Sequence, residues 1–330
     1  MVNVILGALL PVIVTLALGM LAGWRRDQDT GAAEALNRMV LVYALPLALF
    51  AGTITVSRRE LVSQWPLLLA LLAGTVLPFL LAFLAGCYLA GRTMQASALQ
   101  AMAFGFPAIA FTGIPILTPL IGDKATLVVD VAGLTGNIVI LPLTLVLLSY
   151  VKEKAGFEEK TGSGSAKPGE GGQEEASVAA LATRSLGHAF SQPVVLAPLF
   201  AIAFVFTGIH LPSSVTNSFK LLGSTVGGIS LFASGIILQS QSPRFSLPAA
   251  VSTLARLLII PGLAYLALSA LGQNGDLRKM TVLALGLAAA PMQVILSTRY
   301  DCDQEENASV LLYSNVLSIA SLAFLIWLTQ

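Results

Sequence analysis

Long runs of apolar residues, separated by short polar segments, occupy most of the chain. A hydrocarbon core about 30 Å thick requires about 20 apolar residues per helix. The pattern predicts ten membrane-spanning helices, and it lacks the period-2 alternation of transmembrane β-strands. The predicted helices cover roughly residues 3–23, 34–53, 65–90, 97–121, 124–151, 192–209, 216–240, 248–271, 279–298 and 306–329.

One long polar stretch lies midway along the chain, at about residues 152–190. Charged residues there are followed by Gly and Ser, a composition typical of flexible linkers. We expect a cytoplasmic linker, for which an inert tether and a regulatory segment are both open. It separates a first five-helix unit, residues 1–151, from a second, residues 191–330.

Composition excludes several classes of protein. The chain has 330 residues, of which 56% are hydrophobic and 11% charged, and its mean hydropathy is +0.83. Soluble domains carry about 25% charged residues. A net charge of +1 without a basic cluster argues against nucleic-acid binding, and two cysteines cannot form a disulfide scaffold. An all-α polytopic membrane protein remains.

The distribution of lysine and arginine predicts the orientation. The first span lacks a basic preceding segment and is followed by Trp24-Arg25-Arg26, which indicates an anchored helix rather than a cleaved signal peptide. With ten spans, eleven Lys and Arg fall on one side and six on the other. The richer side should be cytoplasmic, which places both termini on the outer side.

The two halves of the chain resemble each other at three places. Leu49-Phe50-Ala51-Gly52 resembles Leu231-Phe232-Ala233-Ser234, and Gly136-Asn137-Ile138 resembles Ser314-Asn315-Val316. Pro115 and Pro291 form the third pair. Because five spans is an odd number, the second unit would enter the membrane upside down. Inverted repeats of this kind are typical of secondary transporters.

Two spans are interrupted at corresponding positions. The fourth contains Pro107 and Pro115 with two glycines, and the ninth contains Pro291 after three alanines. Proline removes a backbone donor, and unpaired backbone groups cannot face lipid. Interrupted helices in matching positions therefore predict a binding site near the bilayer midplane.

Polar residues inside the spans supply the candidate substrate contacts. Intramembrane charges and amides are costly and are usually functional or paired between helices. Both explanations are open for each of them, and Arg256 could alternatively snorkel to the headgroups. The predicted substrate-binding residues, which include Pro115 and Pro291, are Thr112, Pro115, Asn137, Arg256, Pro291, Gln293 and Asn315. Asp130 and Ser314 are further candidates.

Enzyme motifs are absent from the sequence. No His-Glu-x-x-His, Gly-x-Ser-x-Gly or phosphate-binding Gly-x-x-x-x-Gly-Lys-Ser/Thr occurs. We therefore expect neither catalysis nor a bound metal or cofactor.

The sequence resembles the auxin efflux carrier family, which includes bacterial malonate and organic-acid permeases. The residues that carry the resemblance include Tyr43-Ala44-Leu45-Pro46, Gly113-Ile114-Pro115, Gly136-Asn137 and Arg256 through Pro261. The resemblance covers nearly the whole chain. It implies ten helices in two inverted repeats, as in bile acid symporters and sodium–proton antiporters, with broken helices that cross at Pro115 and Pro291. Plant members carry asparagine where this chain has Ala108.

The expected function is secondary or facilitative transport of a small organic anion, such as a malonate-like dicarboxylate, across a bacterial inner membrane. An amino-acid or metabolite exporter and a non-transporting membrane sensor are the alternatives. Helix N-termini and Arg256 could attract an anion. Coupling to protons or sodium, and assembly as a homodimer, are open at this point.

Overall fold

The computed structural model describes residues 2–55, 64–122, 124–162, 193–207, 211–241 and 246–330. These residues form helices and no strand, which confirms the all-α prediction. The helices are α1 Val2–Trp24, α2 Thr30–Met39, α3 Leu45–Thr55, α4 Trp65–Leu84, α5 Met94–Gly105, α6 Ile109–Ile121, α7 Lys124–Thr135, α8 Leu141–Gly162, α9 Pro193–Thr207, α10 Ser213–Gly223, α11 Thr225–Gln241, α12 Leu247–Leu254, α13 Ile260–Ala270, α14 Asp276–Leu285, α15 Met292–Arg299 and α16 Gln304–Leu328.

Several of these helices join into continuous spans. Within the described ranges, five spans are long and apolar enough to cross a membrane, and α16 makes a sixth if its two bent parts count as one. The five are Thr30–Ile54, Trp65–Leu89, Lys124–Val151, Ser213–Ser240 and Leu247–Ala270. The total of ten spans and the division into inverted repeats stay predictions. The helix α8 continues to Gly162, past the predicted boundary at residue 151, and residues 163–190 of the predicted linker lie outside the described residues.

Three spans contain a π-helical turn immediately before an X-Pro pair. Proline cannot donate a backbone hydrogen bond, and its ring crowds the carbonyl four residues earlier. The helix widens there, so that the N–H of Leu141, for example, donates to the carbonyl of Gly136 five residues back. The turns are Val40–Ala44 before Pro46, Gly136–Ile140 before Pro142 and Ala255–Ile259 before Pro261. Asn137 and Arg256 thus lie in widened turns, which are frequent at functional sites.

The first helix packs closely along α11. A Cβ placed on Gly19 would lie 2.1 Å from the Phe232 carbonyl oxygen, and one on Gly235 would lie 2.2 Å from the Leu16 carbonyl oxygen. Only glycine allows the backbones this approach, as is common between membrane helices. The contact joins the first helix of the chain to a helix that follows the predicted linker.

Ion pairs connect the start of each broken helix to another helix. Arg92, just before α5, binds Asp303 at 3.1 Å and also binds Glu306, and Lys124 binds Asp276 at the start of α14. Burial lowers the pKa of the Arg92 guanidinium, but the hydrogen bond to Glu306 and the two nearby carboxylates outweigh it, so the pKa lies above its ordinary value. Lys124 lowers the pKa of Asp276 by a hydrogen bond and by its charge.

Candidate functional site

Two broken helices meet at their interruptions. The segment Phe106–Ala108 separates α5 from α6, and Gly286–Pro291 separates α14 from α15. At the crossing the two extended backbones pair in antiparallel fashion, with Pro107 opposite Ala289. The N–H of Ala108 donates to the Ala288 carbonyl at 2.8 Å, and the N–H of Ala290 donates to the Phe106 carbonyl at 3.3 Å. Each break therefore supplies hydrogen-bond partners for backbone groups of the other break.

The position of the first break differs from the prediction. Pro115 lies within α6, so its assignment as a crossover proline is wrong, and the break occurs at Pro107. Pro291 is buried and caps the N-terminus of α15 directly after the paired segment. Pro291 thus lies at the crossing as predicted. The other proline at the crossing is Pro107, which lies eight residues before the predicted Pro115 in the same span.

Two sequence pairs that resemble each other flank the crossing. A Cβ placed on Gly136 would lie 3.0 Å from the Phe106 ring, so the π turn of the fifth predicted span packs directly on the first break. On the other side, the N–H of Ala289 donates to the Ser314 hydroxyl at 3.2 Å. Gly136-Asn137 and Ser314-Asn315 therefore occupy matching places, each beside one broken helix.

Other predicted residues bond to nearby backbone. The Thr112 hydroxyl donates to the Ala108 carbonyl at 3.0 Å, which closes the first turn of α6. The Asn315 amide donates to the Leu311 carbonyl of its own helix at 2.8 Å. Gln293 is buried and donates to the Asn307 carbonyl at 3.3 Å, while its Oε1 has no hydrogen-bond partner.

Arg256 is completely buried behind the crossing, so the snorkelling alternative is wrong. Its Nη1 donates to the Phe104 carbonyl at 3.2 Å, whereas Nε and Nη2 have no hydrogen-bond partner among the described residues. In an unbroken helix the Phe104 carbonyl would accept from the N–H of Ala108, which here bonds to Ala288. Arg256 therefore satisfies a carbonyl that the break releases. Among the described ion pairs, none involves Arg256.

A cavity of about 490 Å³ lies between α1, α3, α7 and α11. Asn137 lines it, while the adjacent Gly136 contacts the crossing, so these two residues link the cavity to the broken helices. Polar lining residues include Thr53 and Asp130, and of the lining residues that the structure describes Asp130 is the one with a charged side chain. The cavity therefore brings together Asn137 and Asp130, but neither Arg256 nor Gln293.

A second cavity, of about 350 Å³, contains residues that the sequence reasoning did not select. Asn37 lines it, and within the described part of the chain both polar atoms of its buried side chain lack a hydrogen-bond partner. The available signal was an asparagine near the start of the apolar run at 34–53. An uncompensated buried amide is costly and calls for an explanation.

Comparison with known proteins gives consistent matches along the chain. Residues 4–326 match the model of a family described as "Membrane transport protein". The chain is 30% identical over 304 residues to "Uncharacterized transporter YfdV" of Escherichia coli K12, covering 91% of this chain and 90% of that protein. It is 25% identical over 330 residues to "Putative malonate transporter" of Rhizobium meliloti strain 1021, covering 99% and 96%.

Proposed function

The chain belongs to the Membrane transport protein family and is a membrane transporter, and from this premise we propose that its substrate is a small organic anion, such as a malonate-like dicarboxylate. The observation that carries the proposal is the crossing of two broken helices beside a cavity of about 490 Å³. Sites of this kind are where secondary transporters bind substrate. The name of the Rhizobium relative adds support for malonate.

In this proposal Asn137 contacts the substrate directly. Its amide can donate to a carboxylate from the cavity wall, and it lies next to Gly136 on the crossing. Arg256 supplies positive charge from behind the crossing through its two unpartnered nitrogens. The proposal assigns further substrate contacts to Thr112 and Gln293, which lie in the first turns of α6 and α15, and to Asn315, which follows Ser314 beside the second break. One bundle rocks or slides against the other during transport.

Asp130 makes proton coupling part of the proposal. The carboxyl group of Asp130 lines the cavity, and ionisable groups inside membrane spans are typical proton carriers in transporters. Inward transport of a dicarboxylate should therefore rise as the pH on the substrate side falls. A sodium ion bound at Asp130 is the alternative to a proton in this proposal.

The same observation favours an amino acid as a second candidate. A zwitterion could place its ammonium group on Asp130 and its carboxylate on Asn137, and both residues line one cavity. Opposite charges at close range attract without a proton. Uptake of this substrate should then proceed without a proton gradient.

Uptake into proteoliposomes tests these alternatives. Radiolabelled malonate, succinate, alanine and glutamate would be supplied separately, with a proton gradient, with a sodium gradient and with neither. We expect malonate uptake that a proton gradient accelerates, and Asp130→Asn should remove the acceleration. Uptake of alanine alone would contradict the anion proposal, and absence of all uptake would favour the sensor.

Orientation has a separate test. Single cysteines at Ser163 and Gly275 would be labelled from either side of sealed vesicles, after replacement of Cys87 and Cys302. We expect Ser163→Cys to label from the cytoplasm and Gly275→Cys from the outside. Labelling of both from one side would contradict the inverted repeat and the outward placement of the termini.

A further inference from the structure

The second cavity opens between α2 and α15, and we name it the arginine vestibule. Its polar lining residues are Glu34, Asn37, Arg38, Thr298 and Arg299, and three apolar side chains complete it. Its volume of about 350 Å³ has room for a three- or four-carbon diacid with several waters.

Asn37 provides the first argument for a ligand. Its side chain is only 4% exposed and lines the vestibule, and neither Nδ2 nor Oδ1 has a hydrogen-bond partner among the described residues. Leaving a buried amide unpaired costs about 1–3 kcal/mol per group. A ligand carboxylate would accept from Nδ2 and remove that cost.

The charges of the vestibule provide the second argument. Arg38 and Arg299 form no ion pair in the described part of the chain, and the Arg299 guanidinium lies 5.9 Å from the Tyr300 ring centroid. Glu34 is the single carboxylate among the described residues that line the cavity. Two guanidinium groups against one carboxylate leave a net positive charge, and guanidinium is well suited to bidentate binding of carboxylates.

The position of the vestibule provides the third argument. The helix α15 begins at the crossing, after Pro291, and ends at the vestibule, at Arg299. Eight residues of helix span about 12 Å. The vestibule therefore lies one short helix away from the crossing, at the end that the Lys and Arg distribution predicts to be cytoplasmic.

We propose that the arginine vestibule is a second, peripheral binding site for the transported dicarboxylate. One substrate carboxylate binds Arg38 and Arg299, and the Asn37 amide donates to the other. The site concentrates substrate at the cytoplasmic opening and changes shape when α15 moves with the crossing. This inference depends on the proposed anion transport, and it assigns to that transport residues outside the central cavity.

Cysteine modification tests the vestibule without requiring transport. Val42 lines the vestibule and is exposed, so Val42→Cys in a background with Cys87→Ser and Cys302→Ser offers a reactive thiol. We expect a methanethiosulfonate reagent with an anionic sulfonate group to react with this thiol faster than the analogue with a cationic trimethylammonium group. In Arg38→Gln/Arg299→Gln the ratio of the two rates should fall about tenfold, because two nearby positive charges are lost.

Protection by malonate identifies the ligand class. Malonate should slow the modification, and Asn37→Ala should weaken this protection while leaving the ratio of the two reagent rates unchanged. Arg26→Gln is the matched control, since it removes a positive charge near the same end without lining the vestibule. An unchanged ratio in the double variant, no protection by malonate, or equal protection by inorganic phosphate would each overturn the proposal.

Transport measurements separate this proposal from the proposed function. If the wild-type protein takes up malonate, Arg38→Gln/Arg299→Gln should raise KM about five- to tenfold on the cytoplasmic side, with kcat within about twofold, and arginine-to-lysine variants should recover part of the loss. An unchanged KM would overturn the vestibule alone. Absence of wild-type uptake would contradict the proposed function. Protection of Val42→Cys by malonate would in that case still show whether the vestibule binds a dicarboxylate.

Discussion

Replacing Arg256 by methionine distinguishes a structural guanidinium from one retained for function. Methionine keeps much of the side-chain length and removes every donor. The substitution breaks the hydrogen bond to the Phe104 carbonyl, 3.2 Å long, and leaves that carbonyl without a partner. It also removes a fully buried cation whose Nε and Nη2 are unpaired.

The two effects on the free energy of unfolding oppose each other. An unsatisfied buried carbonyl costs about 1–3 kcal/mol. Placing an arginine inside a membrane helix costs about 2.5–3.5 kcal/mol on insertion scales, and removing it returns that amount. We therefore expect the effect of Arg256→Met on stability to lie between a loss of about 0.5 kcal/mol and a gain of about 2.5 kcal/mol. Dicarboxylate transport should nevertheless be lost, because the positive charge behind the crossing is gone.

Thermal unfolding in detergent and uptake into proteoliposomes measure the two outcomes on one preparation. Arg256→Lys is the matched control, because lysine keeps the charge and a donor and should retain part of the uptake. A lower unfolding midpoint for Arg256→Met, together with normal uptake at the native temperature, would refute the reasoning. Arg256 would then have a structural role only, as the hydrogen-bond donor to the Phe104 carbonyl.

Three further predictions concern single sites. Asn137→Ala should weaken substrate affinity by about 1–3 kcal/mol in a binding titration, with little change in the unfolding midpoint, because it removes a donor from the cavity wall. Gly19→Ala should lower the unfolding midpoint by an amount corresponding to about 1–3 kcal/mol, since its Cβ would meet the Phe232 carbonyl, whereas Gly262→Ala meets nothing within 4 Å. Burial and the neighbouring Asp303 carboxylate raise the pKa of Cys302 to about 11 from 9.0. Its alkylation by maleimide at neutral pH should therefore be about 100-fold slower than that of a thiol with the ordinary value, and should accelerate until the pH reaches about 11.

Helix type, approximate span positions and the existence of two interrupted helices followed from the sequence alone. Length and hydropathy determine where a helix can lie in a bilayer, and proline removes a backbone donor wherever it falls in a helix. Proline alone does not decide where a π turn forms: Pro46, Pro142 and Pro261 each follow one, whereas Pro11 and Pro78 lie inside ordinary α-helix. The family was also recognisable from ordered short motifs, and the match over residues 4–326 confirms it.

Only the tertiary structure decided which proline breaks the fourth predicted span. Pro107 and Pro115 carry the same local signal, but the break occurs where Phe106 and Ala108 find backbone partners in Ala288 and Ala290. Those partners lie about 180 residues away in the chain, beyond the reach of any local rule. The same holds for Arg256, whose partner is a backbone carbonyl released by that break. Every residue has a backbone carbonyl, and the sequence does not show which of them lacks a helical partner.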